Sequence, residues 1–142
     1  MTQIIRDMLE ISRCGVQYRA DCLAPLGLKS IHASYLTEIC SNPGISQDKL
    51  ARLICINKSN VARQVAVLEE DGFIIRTPSA ADKRVIELYP TEKTLELLPR
   101  LNEILMRWED CITHDLSEEE KELLTSLLRK MSTRATRYME DR

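Results

Sequence analysis

Apolar side chains recur every three to four residues over most of the chain, the spacing that places them on one face of a helix. The first such stretch covers residues 4–24, and Pro25 and Gly27 end it. A second helix is predicted over residues 29–41. Its inner face is formed by Ile31, Tyr35, Leu36 and Ile39.

Two short helices joined by a break are predicted next. Ile45 forms a minimal strand, and Ser46 provides an N-cap for a helix over about residues 47–54. That helix buries Leu50, Ala51 and either Leu53 or Ile54. After a break at residues 55–57, a further helix is predicted up to Gly72, which suits a helix end. Its inward side chains are Val61, Val65 and Leu68.

The pattern then changes to alternation, which predicts strands at residues 73–77 and 85–89, joined as a hairpin with a polar, basic tip. Helical spacing returns over residues 91–112. A last helix begins with the capping-box pair Ser117 and Glu120. The whole pattern predicts a mainly α fold with a small β wing (α+β). The expected order is two helices, a short strand, two helices, a strand, the wing loop, a strand and two helices.

The composition supports this interpretation, because four Gly and five Pro in 142 residues are too few for the turns of a sandwich or barrel. No apolar run approaches the roughly 20 residues needed to span a bilayer, and the N-terminus lacks the features of a signal peptide. We therefore expect a cytoplasmic protein with no membrane partner. The net charge of −2 excludes a protein that coats DNA by bulk charge. Bases nevertheless exceed acids within residues 57–68 and 76–84, which is enough to attract DNA locally.

The cysteines and histidines limit the chemistry that the chain can perform. No C-x-x-C pair exists, and the two histidines form no metal-binding motif. Nucleophile-elbow, phosphate-loop and dinucleotide-binding motifs are also missing. We therefore expect no metal, no cofactor and no enzymatic activity. The cysteines are expected to be reduced thiols that serve as small apolar residues: Cys14, Cys22, Cys40, Cys55 and Cys111.

Two short helices followed by a hairpin are the order of a winged helix-turn-helix, whose second helix enters the major groove of DNA. The first residues of that helix suit this role, because arginine can bond guanine, amides can bond adenine, and serine and lysine can bond phosphate. The candidates are Asn57, Lys58, Ser59, Asn60, Arg63 and Gln64. The alternative to a DNA-reading helix is an amphipathic helix whose polar side faces solvent and whose first turns lack acids.

From residue 45 to residue 91 the sequence resembles the MarR family of bacterial transcription regulators. ISQDKLARLI is similar to the first helix of the motif, NKSNVARQVAVLEEDGFIIR to the second helix and first wing strand, and SAADKRVIELYPTEK to the wing. The resemblance implies that Arg63 contacts bases and that Arg84 enters the minor groove, oriented by Asp82. A surface ion pair of little energetic value is the alternative for Asp82 and Arg84. The other expected DNA contacts are Ser46, Gln47, Arg76 and Lys83.

Three residues depart from the family pattern. Cys55 stands where many members have glycine, so we expect a less sharp turn between the two helices of the motif. Pro90 replaces a common leucine and Thr94 a common glycine, so we expect the flexibility of the wing to differ from that of other members.

The resemblance also implies a homodimer with interlocked terminal helices. The apolar stripes of the first and the last two helices exceed what one small DNA-binding lobe can cover, although an ordinary monomer core is the alternative. Residues 1–28 and 95–142 would form the dimerisation region, intertwined with a DNA-binding region at residues 29–94. Two-fold symmetry would place two recognition helices about 34 Å apart, so that the dimer reads a palindrome.

Family members commonly bind small phenolic or anionic molecules between the dimer helices and the DNA-binding lobe, and then release DNA. The residues that could line such a site are Arg13, Arg19, Ser30, His32, Ser34 and Tyr35. His32 and Tyr35 lie one turn apart on the second helix, and ordinary packing is the alternative for both.

We therefore predict a sequence-specific DNA-binding regulator: a homodimeric repressor of a palindromic operator on the bacterial nucleoid, released by a small effector. Two alternatives remain open. One is a cysteine-based redox sensor of the same fold, although Cys14 and Cys22 lie about 12 Å apart along a helix, too far for a mutual disulfide. The other is a winged-helix module for protein contact, without specific DNA binding.

Overall fold

The computed structural model describes residues 1–142, which form helices and strands in the predicted order. The helices are α1 (Gln3–Leu23), α2 (His32–Ser41), α3 (Gln47–Leu53), α4 (Lys58–Glu70), α5 (Glu92–Ile112) and α6 (Glu118–Glu140). The strands are β1 (Ile45–Ser46), β2 (Ile74–Pro78) and β3 (Ile86–Pro90), and a 3₁₀ turn, Ala24–Leu26, follows α1. The chain is therefore mainly helical with a small antiparallel sheet, which confirms the predicted fold class.

The sheet has the order β1-β3-β2, and its pairs are antiparallel. β2 and β3 form the predicted hairpin, in which Ile74 lies opposite Pro90 and Pro78 lies opposite Ile86. Proline has no amide hydrogen to donate, so a proline at each end of the ladder limits its length. β1 pairs with the other edge of β3 and ties the start of α3 to the hairpin.

Met1–Leu105 form one compact unit with an apolar core. Side chains of α2, α3 and α4 supply much of this core, and Phe73, Ile74 and Leu88 of the hairpin region pack against them. All three inward residues predicted for α4 are buried: Val61, Val65 and Leu68. The amphipathic spacing of α4 thus fixes which side chains remain for solvent and for partners.

One predicted inner face needs correction, and one open choice is decided by the structure. α2 begins at His32, later than predicted, so Ile31 precedes the helix and is 38% exposed, whereas His32 and Ala33 are buried. Ile31 is therefore the N-cap residue of α2 and not part of its buried face. At the end of α3, Ile54 packs against the core while Leu53 is exposed, which settles the choice that the sequence left open.

The predicted N-caps are confirmed at Ser46, Asn57 and Ser117, whose side chains accept hydrogen bonds from backbone amides of α3, α4 and α6. The turn between α3 and α4 is different from the prediction. Cys55 has a φ of +56°, and it is the only residue other than glycine with a positive φ. The prediction of a less sharp turn is therefore wrong, because the cysteine adopts the left-handed conformation itself, with strain from its Cβ atom.

The base of the wing is fixed to the start of α5. Thr94 is buried, and its hydroxyl donates a hydrogen bond to the carbonyl oxygen of Phe73 at 2.6 Å. Thr91 donates to the same oxygen at 3.1 Å. The Nζ atom of Lys93 donates to the carbonyl oxygen of Asp71 at 2.9 Å and lies 4.1 Å from the centroid of the Phe73 ring. Thr94 thus has a defined structural role, because its hydroxyl ties the start of α5 to the base of the wing.

Met106–Arg142 form a second unit, which consists of the last part of α5 and of α6. No residue of α6 is buried, so its apolar stripe faces solvent in the single chain, and Leu123 is 60% exposed. α1, in the first unit, also exposes large apolar side chains: Ile4, Ile5, Met8, Leu9, Ile11 and Val16. None of the helices combines the length and the apolar character that crossing a membrane requires.

Candidate DNA-binding site

The N-terminal part of α4 exposes polar and basic side chains. Asn57 caps the helix, because its Oδ1 atom accepts hydrogen bonds from the backbone N–H of Asn60 at 2.8 Å and from the Ser59 hydroxyl at 2.9 Å. Lys58 and Arg63 are exposed, and the Arg63 guanidinium donates to Oδ1 of Asn60. No acid occurs in the first turn. This surface therefore combines two basic side chains with the positive end of the helix dipole.

α3 contributes the neighbouring surface. Ser46 accepts a hydrogen bond from the backbone N–H of Lys49 at 3.1 Å, and Gln47 is half-buried with no hydrogen-bond partner for its Oε1 atom. Asp48 accepts from the Nζ atom of Lys58 at 3.4 Å. Because both side chains of this pair are largely exposed, it contributes little to stability. It links the first residue of α4 to the first turn of α3.

At the tip of the wing, Asp82 orients Arg84. Its Oδ1 atom accepts from the backbone N–H and Nε of Arg84 at 3.0 and 3.1 Å, and its Oδ2 atom accepts from Nη2 at 3.2 Å. The side-chain bond from Arg84, with the backbone bond, lowers the pKa of the Asp82 carboxyl. The Arg84 side chain is still 91% exposed, and Lys83 beside it is also exposed. The structure thus contains the expected pair, while a DNA contact of Arg84 stays a prediction.

Arg76 differs from the other predicted contacts because its guanidinium already has a partner. Its Nε and Nη2 atoms donate to Oε1 of Glu69 at 3.1 and 2.9 Å, and its backbone N–H donates to Oε2 at 3.0 Å. The side-chain hydrogen bond from Arg76 lowers the pKa of the Glu69 carboxyl. This pair braces β2 against the C-terminal end of α4, a role that the sequence did not predict.

Gln64 faces the side of α4 toward α2. Its Oε1 atom lies 2.8 Å from Nε2 of His32, whose Nδ1 accepts from the backbone N–H of Lys29 at 3.0 Å. The His32 ring also packs edge-on against Tyr35, and burial is the main cause that lowers the pKa of His32. Both rings lie on the core-facing side of α2. Both side chains are buried, as the packing alternative expects, while the Tyr35 hydroxyl has no hydrogen-bond partner. A role of His32 and Tyr35 as effector ligands stays a prediction.

A cleft of about 660 Å³ lies between α1 and the start of α2. Three of the predicted ligand residues line it, namely Arg19, Ser30 and Ser34, whereas Arg13 does not. Lys29 adds a second cation, and the Oγ atom of Ser30 is buried without a hydrogen-bond partner. Thr37 and four apolar side chains complete the lining, the latter being Val16, Ile31, Ala33 and Leu105. The cleft therefore combines an apolar wall with two cationic side chains.

The cysteines form no disulfide, and no group of three or more histidine, cysteine or acidic side chains could hold a metal ion. Cys14 is exposed and Cys22 is partly buried. Burial raises the pKa of the Cys40 thiol, which disfavours its thiolate.

Sequence reasoning missed three residues that position the candidate contacts: Asp48, Glu69 and Lys29. Opposite charges on adjacent predicted elements are a signal that could have suggested the Glu69–Arg76 pair. The bond of His32 to Gln64 has no comparable signal, because it joins residues 32 positions apart in the chain. The bond of His32 to the backbone N–H of Lys29 is local, three residues apart.

Comparison with known proteins gives consistent matches over the motif and over the flanking helices. The model of the MarR family matches residues 30–86. The uncharacterized HTH-type transcriptional regulator YybA of Bacillus subtilis (strain 168) is 30% identical over 99% of this chain and 93% of its own length. The solved structure of the transcriptional regulator SlyA has a TM-score of 0.93 and 31% identity, with 98% of each chain covered. A MarR-family regulator from Listeria monocytogenes, crystallised with a 26mer DNA, has a TM-score of 0.91 and 29% identity over 96% of this chain and 91% of that chain.

Proposed function

Because the chain belongs to the MarR family of transcriptional regulators, we propose that it is a homodimeric repressor that binds a palindromic operator and is released by a small-molecule effector. As a member of this family it is a transcriptional regulator and not an enzyme. The similar regulator from Listeria monocytogenes that was crystallised with DNA supports duplex DNA as the partner. Operator binding would hold the protein on the bacterial nucleoid.

The observation that carries the DNA-binding role is the exposed, acid-free start of α4 with Lys58, Ser59 and Arg63. An arginine in this place can donate two hydrogen bonds to guanine in the major groove, and lysine and serine can bond phosphate. Arg84 suits a narrow minor groove, whose negative potential attracts a guanidinium. Its bonds to Asp82 restrict the side chain before binding, which lowers the entropy lost when it is ordered on DNA.

Two arginine variants test this proposal on an operator obtained by selection from random duplex DNA. Arg63→Ala should weaken binding by about 1–3 kcal/mol and relax the preference at the base pair that it contacts. Arg84→Ala should weaken binding mainly where the flanking sequence is rich in A·T pairs. Fluorescence anisotropy at one fixed salt concentration measures both effects.

Arg100→Ala is the matched control, because Arg100 is an exposed arginine on α5 that pairs with Glu103 away from the motif. It should bind the operator like the wild type. If Arg63→Ala and Arg84→Ala also bind like the wild type while remaining folded, the assigned roles are wrong.

The exposed apolar faces of α1 and α6 support the dimer. Single soluble domains rarely expose contiguous apolar patches of this kind, and α6 has no buried residue in the single chain. A second copy of the chain would cover these faces, since identical apolar surfaces can pack about a two-fold axis. Two copies would also present two α4 helices to successive major grooves, about 34 Å apart.

The cleft between α1 and α2 supports the effector. Arg19 and Lys29 suit a carboxylate or phenolate, and the apolar lining suits an aromatic ring. Benzoate is a simple probe of this chemistry. It should lower the operator affinity of the wild type and have less effect on Arg19→Ala. An operator affinity that does not change with benzoate, in a wild type that binds DNA, would count against this class of effector.

A further inference from the structure

His32 is a buried ionisable residue with both ring nitrogens occupied. It is 2% exposed, and it lies at the first position of α2, beside the segment that lines the cleft. Nδ1 faces the backbone N–H of Lys29 at 3.0 Å, and Nε2 faces Oε1 of Gln64 at 2.8 Å. One imidazole therefore joins a turn before α2 to the helix that we expect to read DNA.

The chemistry of these partners fixes the tautomer of the ring. A backbone N–H can only donate, so Nδ1 must be the unprotonated acceptor. The proton of the neutral ring then lies on Nε2, and Nε2 must donate to Gln64. The side-chain oxygen of Gln64 is therefore the atom that faces His32, and its NH₂ group is the end directed away from the ring.

This orientation changes what Gln64 can offer to a base. A free glutamine reads adenine with two atoms, because its oxygen accepts from N6 and its NH₂ group donates to N7. In this chain the oxygen already accepts a hydrogen bond from His32. The NH₂ group that remains can bond one acceptor on any of several bases, namely N7 or O6 of guanine, O4 of thymine or N7 of adenine, so the two-bond contact specific to adenine is no longer available.

We propose that His32 is a positioning residue that holds the oxygen of Gln64, so that Gln64 cannot make the two-bond contact to adenine and presents only its NH₂ group to a base acceptor. The proposal rests on the proposed DNA-binding function and assigns a specificity role to a core residue that does not touch DNA. Burial lowers the pKa of His32, which favours the neutral ring, so Nδ1 can accept from Lys29 while Nε2 carries the proton.

Two substitutions at His32 each keep one of the two hydrogen bonds of the imidazole ring and remove the other. Asparagine places its oxygen near the position of Nδ1 but is too short to reach Gln64, so His32→Asn keeps an acceptor for Lys29 and releases Gln64. Glutamine places its nitrogen near the position of Nε2, so His32→Gln keeps a donor for Gln64. Gln64→Ala removes the reading group itself. Circular dichroism and thermal unfolding establish that each variant is folded.

The experiment compares the base preferences of these variants by selection from random duplex DNA at one salt concentration. The wild type and His32→Gln should select the same sites. His32→Asn should shift one base pair in each half-site toward adenine by about tenfold, as expected for a gained bidentate contact. Gln64→Ala should lose the wild-type preference at that same base pair and keep the others.

The proposal is overturned if folded His32→Asn selects the same sites as the wild type. It is equally overturned if Gln64→Ala does so, and this second result does not depend on how well His32→Asn folds. Failure of the proposed function is distinguishable, because the wild type itself would then select no sites and Arg63→Ala would behave like the wild type.

Discussion

Replacing Cys55 with glycine should stabilise the turn between α3 and α4. Cys55 has a φ of +56°, a conformation in which the Cβ atom crowds the backbone. Its side chain is exposed, and its only hydrogen bond is a weak one from Sγ to the carbonyl oxygen of Arg52 at 3.8 Å. Removing the side chain therefore relieves strain without opening a cavity in the core.

The magnitude follows from two opposing terms. A left-handed backbone costs an L-residue about 1–2 kcal/mol. Glycine offsets roughly 0.5–1 kcal/mol of that gain, because it makes the unfolded chain more flexible. With the central values of the two ranges, the free energy of unfolding of Cys55→Gly should therefore rise by about 0.75 kcal/mol. For a chain of 142 residues this raises the melting temperature by about 2–3 °C.

Cys55→Ala is the matched control, because alanine keeps the Cβ atom while losing the same Sγ hydrogen bond. Urea and thermal unfolding at one protein concentration compare the three proteins. Cys55→Gly should be more stable than Cys55→Ala, which should resemble the wild type. A glycine variant no more stable than the alanine variant would refute the claim that the turn is strained.

Three further predictions concern the brace, the buried histidine and the dimer. Arg76→Ala should lower the free energy of unfolding by about 1 kcal/mol, because it removes the half-exposed pair with Glu69. Its effect on operator affinity should be smaller than that of Arg63→Ala. An Arg76→Ala variant with unchanged stability in urea unfolding and a larger loss of operator affinity in anisotropy than Arg63→Ala would contradict a brace. The free energy of unfolding should also fall as the pH drops below 6.5, the ordinary pKa of histidine. The buried His32 ring, which lies near Gln64, Lys29 and Asp71, has a lowered pKa and stays neutral in the folded protein. The unfolded chain binds the proton at this pH, so protonation favours unfolding. Between about pH 7.5 and about pH 5.5, urea unfolding should show a larger loss in the wild type than in His32→Gln, and equal losses would refute this assignment. Light scattering at micromolar concentration should give a mass of about twice the chain mass of 16.3 kDa. Leu128→Glu should reduce the measured mass, whereas Ser126→Glu, on the other side of α6, should leave it unchanged. A monomeric wild type would contradict the dimer.

Local signals in the sequence predicted much of the fold. The apolar spacing of α4, the N-caps Ser46, Asn57 and Ser117, and the positive φ of Gly72 depend on residues close in the chain, and the structure contains all of them. The sequence predicted Ile31 as the first inner residue of α2, because this apolar side chain lies four residues before Tyr35 and fits helical spacing. In the structure α2 begins at His32, and Ile31 is partly exposed.

The positioning bonds were not predictable in the same way. His32 and Gln64 are 32 residues apart, and only the packing of the core brings their side chains together. The Glu69–Arg76 pair likewise forms because β2 folds back along the end of α4. The sequence could therefore nominate Arg76, His32 and Gln64 as polar candidates, but it could not show that each already has a partner within the fold.

The left-handed turn shows a further limit. A glycine at position 55 would have predicted a left-handed turn. The cysteine did not predict it, because a positive φ is rare for a residue with a Cβ atom. The left-handed turn between α3 and α4 therefore forms in this chain with a residue other than glycine.

Selection of bound sites by the wild-type protein from a random duplex library, at physiological salt, tests the central claim most directly. The account predicts enrichment of an inverted repeat whose half-sites are centred about one turn of DNA, roughly 10 base pairs, apart. Enrichment of no sequence, or of a single site without two-fold symmetry, would contradict a homodimer that reads a palindromic operator through α4.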